Sequence, residues 1–153
     1  MNDHIEIARD FVKATLDILN TMAGMRAQAG MPFIKKDRTA GGDVSAIIGV
    51  TGDRTGTISV TFSRGCAVAL VKGMLGDSAE DIIKDIQDAV GEVANMVSGQ
   101  ARASLAVRGT VMQGSTPSVI MGDGHTISHQ SGKPVVAIPF STDAGDFTVE
   151  FCF

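Results

Sequence analysis

Tryptophan and tyrosine are missing from this chain of 153 residues, and its only aromatic side chains are seven phenylalanines. Hydrophobic filling therefore falls to Ile, Val, Leu, Met and Phe. Cysteine is scarce: Cys66 and Cys152 stand alone, in unlike contexts. No Cys-x-x-Cys pair exists, which removes the zinc and thioredoxin-like readings. No apolar stretch approaches the ~18 residues of a membrane span. The N-terminus carries Asp3 and Glu6 and no long apolar core, so it does not read as a signal peptide. Blocks of like charge are absent too. The net charge of −4, with a pI near 5.2, leaves no basic patch for a phosphate backbone, and nucleic acid is not an expected partner. The expectation is a reduced, cytoplasmic protein without a membrane partner, forming a single domain over residues 1–153.

What is present is periodicity. Ile7, Phe11, Ile18, Met22 and Met25 recur at helical spacing and predict a helix over residues 4–26, broken by "AGMP". Residues 43–50 and 55–63 are β-rich runs joined by the turn "TGDRTG" and predict a hairpin. A short helix is predicted over 65–75, ending at Gly76. A long one follows over 79–107, with Ser78 or Asp77 as its cap. A Gly-rich middle then contains one short strand, "SVIM". "KPVVAIPFS" and "DFTVEFCF" form a second hairpin, and with no helix left to cover it this closing pair is expected to expose a sheet edge.

The two halves resemble each other. "LDILNTMAG" (16–24) lies over "GEVANMVSG" (91–99), which puts Asp17 over Glu92, Asn20 over Asn95 and Gly24 over Gly99. "TGTISVTF" (55–62) lies over "AGDFTVEF" (144–151). An internally duplicated helix-hairpin chain pairs its hairpins into one antiparallel sheet and lays its two long helices on one face. The expected class is α+β.

Proline is absent from the stretch containing "GEVANMVSGQ", residues 91–100. On a wheel of about 100° per residue, Ile86, Ala89, Val90, Val93 and Val97 share one arc, centred roughly 130° from Glu92. Asp85, Asp88, Glu92, Asn95, Gly99 and Arg102 fall on the opposite side. Glu92 and Asn95 are thus i, i+3 neighbours displayed away from the core. Polar residues on the outer face of an amphipathic helix are ordinary, but Gly99 on that face costs roughly 1 kcal/mol against alanine. It makes sense where another surface comes close. The acids Asp81, Asp85 and Asp88 leading to Glu92 suit a lysine-bearing partner.

"DAVGEVANMVSG" resembles the D-x-x-x-E-x-x-N-x-x-x-G signature of the chemotaxis phosphatase family of CheC, CheX and FliY, with Asp88, Glu92, Asn95 and Gly99 at the matching positions. "STPSVIMGDGHTI" resembles the segment that follows the signature helix in the CheX branch, and the order helix, hairpin, helix, hairpin covers nearly the whole chain. The resemblance implies a phosphatase of a phosphorylated CheY-like response regulator. Catalysis would rest on Asn95, which positions a water, and on Glu92, which pairs with the regulator's lysine. Asp88 and Gly99 would help hold the partner. It implies no cofactor of the chain's own, Mg²⁺ being carried by the regulator, and it implies a homodimer joined through β-structure. Asp17 and Asn20 would form a second site, although the aspartate is one methylene shorter than the family's glutamate. A non-enzymatic regulator-binding module, like parts of flagellar switch proteins, is the competing reading.

His125 and His129, near Asp123, lack helical i, i+4 spacing and a second pair of ligands, so a polar loop and no metal site is expected there. "HQSGKP" has the wrong glycine spacing for a phosphate loop. Cys66 reads as core.

Overall fold

Apolar residues at i, i+3, i+4 build α1 (Asn2–Ala23) in the computed structural model, which describes residues 2–37 and 39–153. The helix stops at Gly24, whose φ of 61° suits glycine and whose N–H bonds the Asn20 carbonyl at 3.0 Å. It therefore ends three residues short of residue 26, nearly one turn. Two minimal strands follow, β1 (Gln28–Ala29) and β2 (Phe33–Ile34). The first hairpin is β3 (Thr39–Gly52) and β4 (Gly56–Phe62). Ser63 then caps α2 (Arg64–Leu75) by accepting from the Cys66 N–H.

The long helix α3 (Ile82–Val107) begins later than residue 79, and its cap is Asp81, neither Ser78 nor Asp77. The reason is local. Gly76–Ser78 forms a 3₁₀ turn, and the Asp85 carboxylate accepts the N–H groups of Glu80 and Asp81 at 2.9 and 3.1 Å. Those amides are satisfied outside the helix, so its first turn starts beyond them. The chain closes with β5 (Met112–Gly114), β6 (Ser118–Ser128), β7 (Val136–Thr142) and β8 (Gly145–Cys152). The Gly-rich middle is thus a strand of 11 residues and not a loop with a short "SVIM" strand. β3 extends far enough to pair with it, with a register shift between Gly42 and Val44. Gly42 permits this crowding, since a Cβ there would sit 2.4 Å from Thr61 Cγ2.

All strand pairs are antiparallel, in the order β1-β7-β8-β4-β3-β5, with β2 also on β7 and β6 also on β3. The expected exposed edge at the closing hairpin is wrong. β8 is interior, between β7 and β4, and only β1 and β2 lie beyond β7. Hydrogen bonding of β8 to β4 takes up the chain end that the sequence left unpartnered.

The duplication is visible in the register. Val60 and Val149 occupy equivalent places in the two repeats, and they pair with each other at the middle of the β4–β8 ladder. Ile58 pairs with Phe151 and Phe62 with Phe147, which again exchanges equivalent positions. Inward residues of the central strands, among them Ile48, Val60, Ile138 and Val149, form one core with Phe11 and Leu19 of α1, Leu70 of α2 and Val93 and Val97 of α3. Stacked phenylalanines fill the space that larger aromatics would take: Phe11 on Phe151 at 5.1 Å, and Phe147 between Phe62 and Phe140. The other sheet face buries Ser45, Ser59, Thr61 and Glu150. Glu150 takes Lys35 at 3.0 Å and His129 Nε2 at 2.9 Å.

Candidate functional site: a displayed face of α3

The core side of α3 is the predicted one: Ile86, Ala89, Val90, Val93 and Val97 are all buried. With that arc fixed against the sheet, the opposite side must face outward. Asp88, Glu92 and Asn95 are exposed there, and Gly99 is half-buried. Among the described residues, the side chains of Asp88, Glu92 and Asn95 make no hydrogen bond or ion pair. A carboxylate and a primary amide, three residues apart, are thus presented to whatever approaches. The structure brings all four predicted residues onto one stripe of one helix.

Gly99 has no packing reason to be glycine. A Cβ added there would find only the Arg102 Nη2, 4.0 Å away. Gly91, by contrast, would meet Val119 Cγ2 at 3.3 Å. Arg102, also on the predicted polar side, is held in place. Its Nε donates to Ser98 Oγ at 3.1 Å, and its Nη1 to the Met112 carbonyl at 3.4 Å.

The first-half residues are placed differently. Asp17 and Asn20 are exposed on α1, which runs antiparallel to α3: Arg108 pairs with Asp10, and Gln100 reaches Asp17. Gln100 Nε2 donates to Asp17 Oδ2 at 3.2 Å, so this carboxylate has a partner within the chain. Asn20 lies in the last turn of α1, beside a shallow hollow formed with Met25, Arg26, Ala27 and Gln28.

A groove of about 760 Å³ lies elsewhere. It runs along α1 between Ile5, Val12 and Leu16 and the exposed Met31, Phe33 and Ile34. Neither Glu92 nor Asn95 lines it. The displayed face is a convex ridge, which suits a protein that inserts residues into another molecule's site better than one that encloses a small substrate.

The histidines go to separate partners: His125 Nε2 lies 2.8 Å from Ser45 Oγ, and His129 meets Glu150. Asp123 pairs with Arg64. Among the described residues no group of three His, Cys, Asp or Glu could hold a metal ion. Burial pushes the Cys66 thiol up, against a hydrogen bond with Thr142, consistent with a core residue and not a nucleophile. Asp43 sits opposite this trend. The N–H groups of Gly124 and Arg64 both donate to its carboxylate and hold it below the usual range.

Sequence reasoning missed the capture of Asp17 by Gln100, the anchoring of Arg102 and the groove. Only the groove had a legible signal, the apolar "MPFI" just after a helix break. The other two depend on which strand and helix lie alongside.

The antiparallel α+β frame is the fold of CheX-type chemotaxis proteins. Residues 44–141 match the family model described as chemotaxis phosphatase CheX, and the chain belongs to that family. The match contains Asp88, Glu92, Asn95 and Gly99 and leaves out Asp17 and Asn20. The chemotaxis protein CheX of Desulfovibrio desulfuricans is 61% identical, with a TM-score of 0.93 over 96% of this chain and 98% of that one. The CheY-P phosphatase CheX of Thermotoga maritima is 22% identical over 88% of this chain and 86% of its own length. The fold is also that of CheX in the CheX–CheY–BeF₃–Mg²⁺ complex from Borrelia burgdorferi, at 20% identity and a TM-score of 0.76 over 95% of this chain and 96% of that one. No helix is long and apolar enough to cross a membrane among the described residues.

Proposed function

We propose that this chain hydrolyses the aspartyl phosphate of a phosphorylated CheY-like response regulator. Water attacks phosphorus, the bond to the aspartyl oxygen breaks, and inorganic phosphate leaves with the regulator's carboxylate restored. The observation that carries this reading is the free Glu92–Asn95 pair on the convex face of α3, within the part of the chain that matches the phosphatase family. The relatives support it: one is a CheY-P phosphatase, and another is seen in complex with CheY.

The regulator brings the acyl phosphate, its Mg²⁺ and a lysine, so the phosphatase need add only position. The Asn95 amide both donates and accepts, and can hold a water in line with phosphorus. A glutamine does the comparable task in small GTPases. Glu92, one turn away on the same stripe, pairs with the regulator's lysine and sets the approach. Asp88 extends the acidic side of that contact, and the missing side chain at Gly99 lets the partner's surface come close. No group on this chain has to act as a general base.

The test is turnover. Substoichiometric chain added to the phosphorylated regulator should accelerate phosphate release over many cycles. Release at the regulator's own rate would leave only a binding module.

The same reading includes a homodimer. Its edge is not the closing hairpin but β6, which spans 11 residues and pairs only with β3 among the described residues. A long unpaired edge tends to find a partner strand, and a two-fold contact closes the assembly. This leaves the α3 ridge free on both copies. Sedimentation equilibrium should give twice the chain mass of 15.9 kDa; a species of one chain mass rejects the dimer.

A further inference from the structure

The ridge does not end at Gly99. Ten residues beyond Glu92, or roughly 15 Å along the axis at 1.5 Å per residue, comes Arg102. It lies about 20° from Asn95 on the wheel, at 100° per residue. Three constraints fix its guanidinium. Nε is bonded to Ser98 Oγ, whose residue is fully buried, and Nη1 to the Met112 carbonyl. The group also lies across Gly114, where an added Cβ would stand 2.9 Å from Cζ. Nη2 borders the notch at Gly99, 4.0 Å from where a Cβ there would stand. Yet no carboxylate pairs with Arg102 among the described residues, while Arg54, Arg64 and Arg108 each have one. A half-buried cation is thus immobilised beside an open notch with its charge unmatched.

Resting on the proposed function, we infer that Arg102 is a specificity-determining residue that binds a carboxylate on the surface of the regulator. The ridge is then polar from end to end: acids at Asp88 and Glu92, the amide and the notch in the middle, a fixed cation at the far end. A matching regulator presents its active-site lysine to one end and a surface Asp or Glu about 15 Å away to the other. A regulator with lysine or a neutral residue there is disfavoured, because like charge or an unmatched guanidinium costs affinity. Pre-anchoring lowers the entropy lost when the contact forms.

The alternative is a staple that only ties α3 to β5. Arg102→Gln separates the two, because it removes the charge and keeps an amide able to donate to Ser98. With the regulator that the wild type turns over, Arg102→Gln should raise KM about tenfold, move kcat less than twofold and flatten the salt dependence of KM. Arg102→Lys should restore part of the salt dependence. A KM and salt dependence equal to wild type, whatever the melting temperature does, reduces Arg102 to a staple and overturns the inference; so does a loss confined to kcat. Calorimetric binding of the same regulator loaded with beryllium fluoride and Mg²⁺ keeps the question separate from catalysis. If the wild type shows no turnover, the proposed hydrolysis fails, while weaker binding by Arg102→Gln would still support the contact and equal binding would reject it.

Discussion

The last two turns of α1 and the middle of α3 carry the same sequence spacing, acid-x-x-Asn-x-x-x-Gly, and differ in almost everything that surrounds it. In α1 the glycine ends the helix: Gly24 has φ of 61°, and the chain turns away at once. In α3 the glycine is passed over, and the helix continues to Val107. The end of α1 is hemmed in. Residues 25–28 fold beside Asn20, and α2 comes so close that a Cβ at Gly73 would stand 2.2 Å from the Ala23 carbonyl oxygen. Asn95 has straight helix on both sides. Asp17 is held by Gln100, and Glu92 is held by nothing among the described residues. A repeated motif therefore does not repeat its surroundings. What matters is whether the backbone leaves both side chains free on a surface that a partner can reach.

The largest expected effect lies in α3. Asn95→Ala should lower kcat for regulator dephosphorylation by about 10²–10³-fold, the size found when one pre-aimed polar group is removed from a site. Its exposure means that the circular dichroism spectrum and melting temperature should hardly move, and near wild-type turnover would remove its water-positioning role. Glu92→Ala should cost about tenfold or more, mainly in KM, because its contact is made in docking. At the other face, Asp17→Ala and Asn20→Ala should each change kcat/KM by less than about twofold. Losses equal to those in α3 would mean two working sites and would erase the contrast drawn above.

The smallest effect concerns β6, an outer strand pinned by a carboxylate. Asp43 accepts from the Gly124 N–H at 3.1 Å and the Arg64 N–H at 2.9 Å, and its pKa is lowered in the folded protein. A depressed carboxylate contributes stability that is present above its unfolded value, near 3.8, and is lost as pH falls through the lower folded value. Asp43→Asn should be less stable than wild type at neutral pH, and the gap should narrow as pH falls below about 3.8. Denaturant melts across that range would show it; a gap independent of pH would mean that the carboxylate's charge is immaterial.

Much of this was legible in the residues. The arc of Ile86, Ala89, Val90, Val93 and Val97 could only be core, and once it was core the opposite stripe had to be displayed. Local periodicity carries that inference without help from tertiary structure. The position of β8 was not legible, because strand order is a long-range property and β8 looks the same at an edge as in the middle. The start of α3 was misplaced for a nearer reason: Asp85 competes as an acceptor for the N–H groups of Glu80 and Asp81. Glycine misled as well: Gly122 and Gly124 belong to the middle where only a short strand was expected, and they lie in β6, in a bulged ladder with β3.

The central ladder, which returns Val60 to Val149, has a consequence for how the molecule must assemble. Residues up to α2 supply β1 to β4, yet among the described residues β1 and β2 pair with β7 of the later half, and β6 pairs with β3 of the earlier one. Each half lends its outer strands to the other, as two chains do in a swapped dimer, but here within one polypeptide. Most sheet contacts therefore join residues far apart in sequence, which places folding toward the slow, high-contact-order end for a domain of this size. The halves are also obligate complements. Severed between Gly76 and Ser78, neither piece keeps the pairing its outer strands require, and structure seen by circular dichroism should return only when the two are mixed.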